Sequence, residues 1–168
     1  QWRHGSDEAW RSRACSAACA SMVLAAHGIA ATPDELLAEA RAMTGHLSWT
    51  HHGMPHAALC ALLRNRGVHS YHEEYRGRRF DPATGLWHDD LTLDRGHLDF
   101  GIGKIRETVA RGEPMIASML PKFRTNEEGH LVVVTGAANG SFTVNDPDDR
   151  SGTGEGVVVS ADHFEEYF

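Results

Sequence analysis

The sequence predicts an α+β protein. Three observations predict it: helical signals come first, strand signals follow from Pro114 onward, and 168 residues with 41% apolar content suffice for one real core. The whole of 1–168 is expected to be a single domain.

The first helix spans about 15–27 and stops at Gly28, since glycine readily takes the left-handed conformation that closes helices. Thr32-Pro33-Asp34-Glu35 opens the second: Thr32 is the N-cap, Pro33 the first helical residue, and Glu35 the reciprocal cap. Leu36, Leu37, Ala40 and Met43 give it an apolar stripe. A loop over 44–53 holds Trp49, His51 and His52, and a third helix covers 55–65 with Gly67 as its stop. The stretch 69–99, rich in His, Asp, Arg and Gly, shows no clear period. A further helix is expected over 100–111, with Ile102, Ile105 and Val109 on one face and Gly112 closing it. Residues 114–120, 129–136, 141–146 and 156–159 then read as strands separated by turn residues. Ser160 caps a short last helix.

Composition removes several function classes. Net charge is −7 with basic residues scattered, which argues against nucleic acid or an anionic membrane as partner. No apolar run approaches the roughly 20 residues that span a bilayer. No signal peptide is visible, so a cytoplasmic location is expected, although the numbered chain opens on Gln1. Three cysteines, Cys15, Cys19 and Cys60, make no disulfide framework and no CxxC pair.

The chemistry gathers around Arg13-Ala-Cys-Ser-Ala-Ala-Cys-Ala-Ser-Met-Val-Leu24. Cys15 stands at the mouth of a small-residue helix, where unpaired N–H groups and the positive end of the helix dipole favour a thiolate. The competing account is a core helix that happens to carry two cysteines. A sulfur nucleophile needs a base, and the base needs a group to orient it. His130 opens the most apolar strand; Asp146 ends the next one, immediately before Pro147. If those strands pair as a hairpin, the two residues meet at one end of the sheet. Asn145 points the other way on a regular strand, and Asp-Pro is equally ordinary turn chemistry.

Together these residues resemble the papain-like superfamily, and within it the bacteriocin-processing, double-glycine-cleaving cysteine peptidases. Cys15-Ser-Ala-Ala-Cys-Ala-Ser-Met-Val-Leu24 is similar to that family's nucleophile helix at Cys15, Ala18, Met22, Val23 and Leu24. Gly129-His-Leu-Val-Val-Val-Thr-Gly136 resembles its histidine strand, and Asn145-Asp-Pro147 its acid. The resemblance implies a helical half packed on a C-terminal antiparallel sheet with the active-site cleft between them. It implies Cys15 as nucleophile, His130 as base, Asp146 as orienting acid and the Gln1 amide as oxyanion-hole donor beside the Cys15 N–H, each donor worth roughly 3–4 kcal/mol of barrier. Ser16, Trp49, His52 and Gly129 are expected to meet the substrate, with core packing an equal account of Trp49. The chain departs from the family pattern at Ser16 and Ala17, where glycine and proline are usual. It departs again at Cys19, which stands for a serine and is either a packing substitute or a resolving thiol. Fused exporter domains are common in the family; a stand-alone member is expected here.

The expected function is acyl transfer on a peptide or amide substrate through a Cys15 thioester, with water as acceptor in a peptidase or amidase. An acyltransferase or amide-forming enzyme with an amine or thiol acceptor is the alternative. A non-catalytic peptide-binding module on the same fold is the second. No cofactor and no metal are expected: His51, His52 and His56 lack a zinc pattern, and Asp146, Asp148, Asp149 and Glu155 are not spaced as a calcium loop.

Overall fold

The computed structural model describes residues 14–44, 53–75, 78–89, 95–119, 129–149 and 152–168. The elements are α1 (Cys15–Ala26), α2 (Pro33–Thr44), α3 (His56–Asn65), β1 (Arg78–Asp81), β2 (Leu86–Asp89), α4 (Arg95–Ala110), β3 (Met115–Met119), β4 (His130–Ala138), β5 (Ser141–Asn145), β6 (Val157–Ser160) and α5 (Ala161–Tyr167). The sheet β3-β4-β5-β6 is antiparallel throughout, and β1-β2 form a separate antiparallel hairpin. With five helices among the described residues, this is an α+β fold of papain-like type. Among the described residues no helix is long and apolar enough to cross a membrane.

Local chemistry explains the helix ends. At α2 the Thr32 N–H donates to Glu35 Oε2 at 2.8 Å and the Glu35 N–H donates to Thr32 Oγ1 at 3.2 Å, a reciprocal capping box. At the end of α1, Gly28 takes φ +73°, its N–H bonds Ala25 O at 2.9 Å, and the Ile29 N–H bonds Leu24 O at 2.9 Å. This double bond satisfies carbonyls the helix leaves open, and α3 and α4 end the same way at Gly67 and Gly112.

Strand β4 is the wall shared by two cores. Leu131 and Val133 face the helical half, against Ala17, Ala20 and Leu24 of α1, Leu36 of α2 and Leu62 of α3. Val132 and Val134 face the other way, with Phe142, Val144, Ile105 and Phe164. Period-2 alternation sorts consecutive residues between the two cores, and burial on both faces explains the continuous apolar run. The Phe142 and Phe164 rings stack at 4.3 Å, with the Arg106 guanidinium 4.7 Å over Phe142. Helix α1 is likewise buried on several sides, from Ser16 to Leu24, which is why its sequence shows no polar stripe.

The β4–β5 turn is Asn139-Gly140, both at positive φ (+52° and +71°), the backbone that suits a tight two-residue hairpin. The ladder runs Ala138↔Ser141, Ala137↔Phe142 and Gly136↔Thr143, then Val134↔Val144 and Val133↔Asn145. Thr135 is the extra residue of a β-bulge between them.

The structure departs from sequence expectation in the least readable stretch. Hairpin β1-β2 falls there, and α4 begins at Arg95 rather than Phe100. Arg95 is held by Asp99 at 3.1 Å, one turn on, and by Glu165 of α5 at 3.0 Å, a partner no local pattern reveals.

Two glycines of α4 give a paired test. A Cβ at Gly101 would lie 2.6 Å from Tyr75 Cγ, because the Tyr75 ring lies against the helix backbone there. One at Gly103 would meet nothing within 4 Å. Gly103→Ala is expected to stabilise by ~0.5–1 kcal/mol through helix propensity, and Gly101→Ala to destabilise by ~1–3 kcal/mol through overpacking. Urea unfolding measures both; equal stabilisation by the two would mean that Tyr75 is not seated on α4.

Candidate active site

The site is assembled where the start of α1 meets one end of the sheet. Met119 pairs with His130, which puts the histidine at the beginning of β4 beside the last residue of β3. Continuing the β4–β5 register by one step sets Asp146 opposite Val132, a diagonal neighbour of His130 on the same face. His130 Nε2 is 2.7 Å from Asp146 Oδ1. The other ring nitrogen, Nδ1, is not used by the carboxylate, and the Cys15 side chain is the second group that helps raise His130.

Burial decides the electrostatics. His130 is 5% exposed and, with Ser16, is one of two buried polar residues among those described. Burial alone pulls an imidazole down. Hydrogen bonds to Asp146 and Cys15, and the charges of both, outweigh it and push His130 up to about 9. The arrangement therefore favours a protonated imidazole between two acidic partners.

Asp146 holds its position through backbone contacts. Its Oδ1 also accepts the Asp148 N–H at 2.8 Å, and its own N–H donates to Gly154 O at 2.7 Å. The turn account and the hydrogen-bond account of Asp146 thus apply together: one carboxylate caps an Asx turn and meets His130. The Asn145 side chain is used elsewhere, its Oδ1 accepting the Gly156 N–H at 2.9 Å.

Helix α1 has Ala14 as its N-cap residue, with no side-chain capping bond and no acidic residue in the first turn. Nothing in its own first turn competes with a negative charge at Cys15 for those N–H groups. Cys15 is half-buried and unbridged. One turn below, Cys19 is fully buried and donates to Leu131 O at 3.2 Å. Burial, then the charges of Cys15 and Asp146, push the Cys19 thiol well above its ordinary value. It packs as a small core residue that ties α1 to β4. Burial also raises Cys60, with Arg64 opposing.

Of the other expected site residues, Ser16 is 1% exposed and its Oγ has no hydrogen-bond partner among the described residues. Gly129 is exposed, with Ser118 Oγ 4.0 Å from where a Cβ would sit. Gln1, Trp49 and His52 lie outside the described residues. Among those described, no three His, Cys, Asp or Glu side chains gather as a metal-ligand set. Asp149 Oδ2 instead accepts the Gly154 N–H at 3.3 Å. Sequence reasoning missed Asp148 and Gly154, because both act through backbone atoms. The Asp-Pro-Asp-Asp turn signature was the available clue to Asp148.

The architecture is that of a papain-like α+β protein, with Cys15 at the start of α1 and the His130–Asp146 pair at one end of the sheet. The model of the Peptidase_C39 like family matches residues 1–168, and the chain belongs to that family. No curated protein matches the chain.

Proposed function

We propose that this protein is a peptidase or amidase that cleaves a peptide or amide bond through a thioester on Cys15. The observation that carries the proposal is the 2.7 Å contact between His130 Nε2 and Asp146 Oδ1, which leaves the opposite ring nitrogen for Cys15. Family membership over the whole chain supports the same chemistry.

In this mechanism the Cys15 thiolate attacks the carbonyl carbon and forms a tetrahedral oxyanion. The Cys15 backbone N–H, in the first turn of α1, donates to that oxygen, and the Gln1 amide is the proposed second donor. Protonated His130 gives its proton to the departing amine nitrogen, the C–N bond breaks, and an acyl thioester remains. His130, now neutral, takes a proton from water as the water oxygen attacks the thioester. The acid departs and the thiolate–imidazolium pair is restored. Asp146 fixes the ring orientation and stabilises the charged imidazole throughout. Trp49, His52 and Gly129 are the proposed substrate contacts; Ser16, 1% exposed, is a buried residue of α1 instead.

Alkylation by iodoacetamide across pH 4–9, with sites read by mass spectrometry, tests the proposal. Native protein should label at Cys15 alone by pH 6, since Cys19 and Cys60 are 0% and 6% exposed. His130→Ala should slow Cys15 labelling at pH 6 at least tenfold. If Cys15 labels no faster than Cys60, it is a structural cysteine, and a non-catalytic binding module becomes the better account.

A further inference from the structure

The main chain of Asp146 is clamped by the returning end of its own loop. The Asp146 N–H donates to Gly154 O at 2.7 Å, and Gly154 sits with its Cα directly against the Asp146 carbonyl. A Cβ at Gly154 would lie 2.2 Å from Asp146 O, 3.3 Å from its carbonyl carbon and 3.5 Å from Asp149 Cβ. Gly154 also has φ +73° and is buried. Two residues on, Gly156 has nearly the same φ, +66°, yet a Cβ there meets nothing within 4 Å. The two glycines share a positive φ, and only Gly154 lies against Asp146.

We propose that Gly154 is a positioning residue for the His130–Asp146 pair, its missing side chain allowing the loop to close on the Asp146 backbone and set the height of the carboxylate against the imidazole. The inference rests on Asp146 as the group that orients His130. Adding a methyl group at Gly154 cannot be absorbed by rotating a flexible side chain, because the atom it meets is a backbone carbonyl oxygen. The strand end must move, and Oδ1 moves with it, although it now satisfies His130 Nε2 at 2.7 Å and the Asp148 N–H at 2.8 Å together. The titratable groups facing His130 among the described residues are Cys15 from α1 and Asp146 at the end of β5.

The test compares Gly154→Ala with Gly156→Ala, reading the His130 imidazole by NMR titration and stability by thermal unfolding. Both variants carry the cost of alanine at positive φ, so both should melt lower than the parent chain. Only Gly154→Ala should move the His130 midpoint, from about 9 down by one pH unit or more, with Asp146→Ala as the benchmark for complete loss. An unmoved midpoint in Gly154→Ala, with lowered stability in both, makes Gly154 merely structural and overturns the proposal. An unmoved midpoint in Asp146→Ala overturns it too, along with the orienting role of Asp146. No substrate is used, so failure to cleave peptides is a separate result. Should Gly154→Ala not fold, amide exchange of the Asp146 N–H in the parent chain decides. Protection matching the β4–β5 ladder supports the clamp, and exchange at an open-loop rate overturns it.

Discussion

Cys15→Ala is expected to abolish turnover, lowering kcat by on the order of 10⁴- to 10⁶-fold while leaving the fold intact. In the proposed mechanism the sulfur is the atom that bonds to the substrate, and neither His130 nor Asp146 replaces it as a nucleophile. The structural cost should be small, because Cys15 is half-buried and its contribution to the helical core is peripheral. Cys15→Ser should be nearly as inactive, because an alcohol stays protonated at neutral pH and is a far weaker nucleophile than sulfur. Cys60→Ala is the control, expected to retain activity within a few-fold and to lose ~1 kcal/mol of stability from a small cavity. Steady-state cleavage of a peptide library by each variant, with circular dichroism to verify folding, measures the effect. Residual cleavage in Cys15→Ala above a tenth of the parent rate would rule out the thioester route.

Asp146→Ala should damage both activity and stability, and pH separates the two effects. His130 stands at about 9 in the folded protein, against about 6.5 in an unfolded chain. A group whose folded value is raised stabilises the native state fully below the unfolded value. That contribution shrinks as pH rises above about 6.5 and is gone once pH has passed about 9. The gap corresponds to ~3 kcal/mol, little screened because the His130 side chain is 7% exposed. Urea unfolding of the parent chain at pH 6 and pH 9.5 should therefore show a loss of that order, largely absent in Asp146→Ala. Without the aspartate, burial pulls His130 down with Cys15 alone opposing it. The alkaline limb of the pH–rate profile should then shift to lower pH, with kcat reduced ~10²- to 10⁴-fold. Equal loss of stability in both proteins across that interval would sink this account of the buried pair.

Much of the fold was legible because its punctuation is local. The Thr32–Glu35 box and the glycine stops at Gly28, Gly67 and Gly112 work through atoms a few residues apart, so the sequence carries them whole. The apolar run of β4 was legible for a different reason: burial on both faces leaves no polar position to interrupt it. The β1-β2 hairpin was not legible, because Phe80 and Leu86 are exposed and no alternation of apolar and polar residues marks the strands. Nor was the first turn of α4, which carries Gly96 and depends on Arg95 reaching Glu165, seventy positions away. At the site, the pairing of His130 with Asp146 could be anticipated from strand order. Which ring nitrogen faces the carboxylate could not, and neither could Gly154, whose part is visible only once the loop has folded back.

The bulge at Thr135 has a consequence for how this chain can change in length. Without Thr135, Gly136 would follow Val134 as directly as Thr143 precedes Val144 on β5, and every remaining β4–β5 pair would keep its partner and its face. A deletion at Val132, Val133 or Val134 would instead be healed only by drawing Thr135 into the ladder, which carries a hydroxyl toward a core of Phe142 and Val144. Thr135 is thus the one spare link between the hairpin tip and His130. Sequence drift can add or remove a residue there while the imidazole stays in step with its aspartate.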